Sequence, residues 1–237
     1  MSFARAREHD PNPDGSPHDD TDADTAAEAL SPVSVPWPSQ DPVHGRIRLR
    51  RFIDQDADMA IELSQDDYIP RIGSLPHCSS PEEGLAWVHR QRERHANGSG
   101  FSFAIVDEEA GRSVGNIGLW IKELAEGRAQ AGYGIIPSAR GRRNAADALT
   151  ALLKFAWTIS NLHRVELHIE PWNVASVRTA ELAGFEEEGL LRSHQAISGR
   201  RVDMLVFSAV REHGSSGAQP IPALPLGGPG GLDLHHG

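Results

Sequence analysis

Two hydrophobic periods alternate along the chain from residue 46 onward. Ile47 and Leu49 stand between Arg46, Arg48 and Arg50, the period-two pattern of a strand over 46–52. Residues 56–63 take helical spacing and lead into a loop holding Asp66, Asp67, Tyr68 and Pro70. Ser80-Pro81-Glu82-Glu83 is a helix start, with a capping serine, proline at the first position and acids in the first turn. That helix runs through Trp87, Val88 and Gln91 and stops near Asn97-Gly98. The β-rich runs 101–106 and 113–121, joined by a turn at 107–111, form a hairpin, and 130–136 is a third central strand. Ala145, Leu149, Leu152, Ala156 and Ile159 then line one buried helix face. In 164–169, Val165, Leu167 and Ile169 share one strand face, with Glu166 and His168 on the other. A short helix over 174–183 ends at Gly184, with Phe185 packing back on it. Strands 190–197 and 202–210, turned by Ser198-Gly199, close the pattern. Such an order describes an α/β (α+β) domain with a mixed sheet.

Composition sets the edges of that domain. Residues 1–45 are rich in Asp, Pro and Ser, and 214–237 in Gly, Pro and Leu without periodicity. Neither stretch can bury enough to offset its own ordering entropy, so both read as disordered tails around a core at 46–213. The formal net charge of −10 belongs mostly to the first tail, where Asp10, Asp14, Asp19, Asp20, Asp22 and Asp24 stand against Arg5 and Arg7. A nearly neutral core gives no nucleic-acid footprint. No apolar run approaches membrane-spanning length, and no signal-peptide core stands at the start. A single cysteine, Cys78, excludes an internal disulfide and fits a reducing compartment. A cytoplasmic protein is the expectation. The closing His235-His236 pair reads as tail composition, so no metal is expected.

The chemistry concentrates at 133–145. A buried strand ends in Pro137, a basic turn follows through Arg140, Gly141, Arg142 and Arg143, and a helix begins at Asn144-Ala145. Free N–H groups at a helix N-terminus, ringed by guanidinium groups, make a phosphate seat. A nucleotidase phosphate loop is excluded because its Gly-Lys-Ser/Thr element is absent.

Three runs in this order, at 132–157, 162–185 and 187–208, resemble the GNAT acyltransferases, nearest to the RimJ/RimL-like branch of ribosomal-protein-alanine acetyltransferases. The likeness covers essentially all of 46–213. It implies a GNAT fold, with a mixed sheet of about six to seven strands and about four helices. It implies acetyl-CoA as acyl donor, lying where strands 130–136 and 164–169 splay apart, and a primary amine as acceptor, on a protein N-terminus or a small molecule. A homodimer is compatible with it. The resemblance further implies that the pantetheine arm bonds to backbone at Ile135 and Ile136, with a backbone N–H near Ile136 holding the oxyanion. The pyrophosphate would rest on Arg140 to Ala145, and Asn173 would contact the pantetheine arm. Ser176 would protonate the leaving thiolate.

Two departures stand out. Arg143 occupies the middle-glycine position of the phosphate motif, where glycine lets backbone approach phosphate closely. Gln130 and Gln195 occupy positions where relatives often carry a glutamate, and a glutamine takes no proton. For the general base this leaves His194, favoured because its strand lines the acceptor side in the family, then His168, Glu166 and Glu170. Asp203, Trp120 and Trp172 read as structural, Asp66 and Asp67 as suited to a cationic acceptor. A CoA-binding module without catalysis is the rival reading.

Overall fold

The computed structural model describes residues 35–77 and 80–212. The expectations for residues 1–34 and 213–237, and for Cys78, fall outside them. The elements run β1 (Val43–His44), β2 (Ile47–Arg50), α1 (Ala57–Ser64), α2 (Ile69–Ile72), α3 (Pro81–Ala96), β3 (Gly100–Asp107), β4 (Arg112–Trp120) and β5 (Arg128–Ile135). They continue α4 (Asn144–Ala156), β6 (Arg164–Ile169), α5 (Val174–Leu182), β7 (Glu186–Ile197) and β8 (Arg200–Val210). The strands form one mixed sheet in the order β1-β2-β3-β4-β5-β6-β8-β7, antiparallel everywhere except between β5 and β6.

The sheet has eight strands and the described residues hold five α-helices, more than the pattern predicts. α2 has four residues and includes Pro70, too short to carry a period. The extra strand, β1, lies in the stretch expected to be tail. There Trp37 lays its ring 4.7 Å from that of Phe103 and 5.7 Å from that of Phe101, with the Arg51 guanidinium 4.0 Å above it. One half-buried aromatic outweighs the surrounding polar residues, because it covers the apolar edge of the core.

The capping box at α3 forms as the sequence implies, Ser80 Oγ accepting the Glu83 N–H and Glu83 Oε2 accepting the Ser80 N–H. α4 buries Ala148, Leu149, Ala151, Leu152, Phe155 and Ala156 against the sheet. Its Phe155 ring meets Phe101 and Phe103 edge-on at 4.8 and 5.6 Å. Each such large side chain contributes about 1.5–3 kcal/mol by leaving water. This packing fixes the start of α4 against the end of β5.

Candidate active site

The site begins where a pairing stops. β5 and β6 are in register at Arg128–Arg164, Ala129–Val165 and Gln130–Glu166 and go no further. Beyond that point β5 stays with β4 up to Gly115–Ile135, and β6 stays with β8 up to Ile169–Leu205. Each strand follows its own half of the sheet, and a gap opens between them. Antiparallel ladders turn the backbone groups of alternate residues to the same neighbour. Ile136 donates its N–H to the Val114 carbonyl at 3.0 Å and its side chain is fully buried. Ile136 therefore faces β4, and the expectation that it bonds to a ligand is corrected. The same alternation turns Ala131, Tyr133 and Ile135 toward the gap. A cavity of about 860 Å³ fills the opening, lined by β5, the phosphate turn, β6 and α5.

At one end of the cavity lies the basic turn. No N–H from Gly141 to Ala146 has a partner among the described residues; the first bond closing onto α4 runs from the Asp147 N–H to the Arg143 carbonyl. These free donors stand together at the positions expected to seat an anion, and Gly141, Arg143, Asn144 and Ala145 line the cavity while Arg142 does not. Arg143 sits at φ 63° and ψ 3°, the left-handed conformation that the motif's glycine would take without strain. Arg140 departs from its expected role. Its Nε donates to the Ile135 carbonyl at 3.0 Å, and its Nη2 pairs with Asp66 at 2.6 Å. Asn144 contributes backbone only. Its buried amide donates to the Ala139 carbonyl and accepts from Arg46, which ties the turn to the residue just before β2.

Asn173 caps α5, accepting the Ser176 N–H at 3.1 Å, while its amide stands beside the Tyr68 hydroxyl. Ser176 lines the cavity. The Tyr133 hydroxyl is buried between the hydroxyls of Ser176 and Thr179 without hydrogen-bond geometry to either. Burial pushes the Tyr133 pKa up, so this hydroxyl stays protonated.

At the other end, His168 lines the cavity two residues past the last β5–β6 pair. Its Nε2 is 3.4 Å from Glu166 Oε2 and its Nδ1 is 3.2 Å from the Gln130 amide. Glu166 is in turn held by Arg164 Nε at 2.6 Å. This pattern assigns the proton to Nε2 and leaves Nδ1 as acceptor. Burial lowers the His168 pKa, His194 lowers it further, and Glu166 and Glu123 only partly oppose them. His194, the favoured base, is exposed and does not line the cavity; its ring stands edge-on to His168 at 4.8 Å. Gln195 does not line the cavity either. Glu170 is buried and accepts the Tyr68 hydroxyl at 2.6 Å. Asp66 is committed to Arg140 and to the Tyr68 and Ile69 N–H groups, so it offers nothing to a cationic acceptor. Asp203 accepts the Ser193 N–H, a structural role. Trp172 is exposed, meets the Tyr68 ring edge-on at 4.9 Å and lines the cavity mouth, so it is not a packing residue.

Sequence reasoning overlooked Tyr133 and Arg178, both of which line the cavity. Tyr133 carried a signal, because strand alternation places it on the face opposite Gly132 and Gly134. Arg178 carried none beyond helix position.

The gap has room for a long, narrow molecule, with free N–H groups at one end and His168 on its wall. Such a layout suits an acyltransferase drawing on coenzyme A. The chain belongs to the GNAT acetyltransferase family: the acetyltransferase (GNAT) domain profile matches residues 46–186. It is 25% identical over 166 residues to the uncharacterized N-acetyltransferase p20 of Bacillus licheniformis, covering 70% of this chain and 93% of that one. It is 27% identical over 127 residues to the [ribosomal protein uS5]-alanine N-acetyltransferase of Escherichia coli, covering 52% and 64%. The fold is shared with Mycobacterium smegmatis RimJ in complex with CoA-disulfide, at TM-score 0.60 and 24% identity over 72% of this chain and 84% of that one. The chain is an N-acetyltransferase, moving an acetyl group from acetyl-CoA to an amine.

Proposed function

We propose that acetyl-CoA lies in the β5–β6 gap with its pyrophosphate on the N–H groups of 141–146, and that His168 deprotonates a primary amine entering from the opposite side. The position of His168 carries this reading: it is the titratable side chain on the cavity wall just beyond the last strand pair, and its environment favours the neutral form. The bound ammonium displaces the Gln130 amide from His168 Nδ1, gives that nitrogen one proton and becomes a nucleophile. Its nitrogen attacks the acyl carbon, the C–N bond forms, and the N–H of Ile135 facing the gap stabilises the oxyanion. The C–S bond then breaks. The thiolate takes a proton from the Ser176 hydroxyl, which the amide-forming nitrogen restores with Tyr133 as neighbour. One amine proton ends on sulfur and the other in solvent. We place the reaction in the cytoplasm, which suits a chain with one cysteine.

The experiment is a pH profile of kcat/KM on two variants. Because its pKa is lowered, His168 stays a base throughout neutral pH, and the acid limb lies below the ordinary value of 6.5. His168→Gln is expected to reduce the plateau by about 10²- to 10⁴-fold. His194→Ala removes one of the two causes that lower the His168 pKa, so the acid limb moves up while the plateau holds. A plateau lost in His194→Ala and kept in His168→Gln reverses the assignment.

A further inference from the structure

A second cavity, of about 120 Å³, adjoins the first and shares Ile69, Ile72, Gly132, Tyr133 and Gly134 as walls. It lies under α2, between α3 and the β4–β5 pair. Two glycines make the connection, since neither puts a side chain across it. A Cβ at Gly134 would stand 3.0 Å from Asn116 Oδ1 and 3.2 Å from Ile69 Cδ1.

The polar groups on its walls are mostly donors. Arg94, from the last turn of α3, directs Nη2 to Ser74 Oγ at 2.6 Å and lies 5.4 Å over the Trp120 ring. It pairs with no carboxylate among the described residues. Acids elsewhere around the cleft are already engaged: Glu62 by Arg112 and Ser138, Asp66 by Arg140, Glu170 by Tyr68. Trp87 also lines the cavity and is 1% exposed, and its indole N–H is buried with no partner among the described residues. A buried N–H without an acceptor is costly. So is a half-buried cation without an anion.

We infer that this cavity is an anion subsite taking a carboxylate carried by one of the two substrates, held by Arg94 with the Trp87 N–H and the Asn116 amide. The inference rests on the acyl-transfer reading above. Its volume admits a short acid arm, and the wall it shares at Gly132 and Gly134 joins it to the larger cavity. Burial lowers the pKa of Arg94 with no acid to offset it, so a carboxylate there would relieve an uncompensated charge. The carboxylate has two sources: the far end of a dicarboxylic acyl chain, or an acceptor that is itself an amino acid.

Two arms separate them, both on the full chain. The first compares dissociation constants of succinyl-CoA and butyryl-CoA by calorimetry, which needs no turnover. The second follows CoA release from acetyl-CoA with short ω-amino acids against their carboxamides. In one arm the carboxylate is expected to be preferred by about 10- to 100-fold, the worth of a charge-assisted pair. Arg94→Gln should bring that ratio near one, and Arg94→Lys, checked with it for a native melt, should keep part of it. The arm that responds names the source. Equal constants in both arms, or a preference that Arg94→Gln leaves unchanged, overturns the subsite. Failure to acylate any amine refutes the catalytic reading instead; the subsite is then decided by calorimetry alone, on succinyl-CoA against butyryl-CoA and on the ω-amino acids against their carboxamides, each with Arg94→Gln.

Discussion

Arg143 shows how one residue sets the quality of the donor seat. Its φ of 63° costs an L-residue roughly 1–2 kcal/mol against an ordinary helical start. In exchange it adds a guanidinium beside the N–H groups proposed to receive phosphate. Arg143→Gly is expected to stabilise the fold by up to about 1 kcal/mol, strain relief being partly offset by the freer unfolded chain. It should also flatten the salt dependence of acetyl-CoA binding, because a positive charge is lost. Thermal melts and calorimetry at low and high salt check both. Both features were legible in the sequence, since a glycine position inside a motif is a local signal. The choice between His168 and His194 was not. It depends on where β5 and β6 part, a pairing between residues 36 apart that no local pattern states.

At the scale of elements, the loop through α2 is pinned over the cavity from both sides. Asp66 holds Arg140 of the phosphate turn, and Tyr68 holds Glu170 beyond β6. Burial pushes the Asp66 pKa up, but the Ile69 and Tyr68 N–H groups and Arg140 outweigh it, leaving the value below the usual 3.8. An Asp lowered in the folded state adds stability that is present above its unfolded value and lost as pH falls through the folded one. Asp66→Asn is therefore expected to make the stability loss below about pH 4 shallower. It should also free Arg140 and tighten acetyl-CoA binding by roughly 3- to 10-fold. Melts across acid pH and a binding titration check it. Sequence alone could not show this pinning. α2 is a single turn, and Asp66 looked like a free acid because its partner lies 74 residues away.

Across the whole molecule, the sheet is two blocks, β1–β5 and β6–β8-β7, joined by three residue pairs. The alternating strands and amphipathic helices made the succession of elements readable, because each period reports its own buried face, but not the order of strands across the sheet. The seam between the blocks was readable only through family resemblance. Its shortness has a mechanical consequence. A substrate that lies along the unpaired edges acts as a splint, so donor binding should convert two loosely coupled halves into one cooperative unit. Hydrogen exchange tests this. Saturating acetyl-CoA should slow amides at 131–135 and 166–169 by more than about tenfold, while β2 and β3, far from the seam, change little. The acyl donor is then also a structural strut, and an enzyme emptied of it opens first along the line where its chemistry occurs.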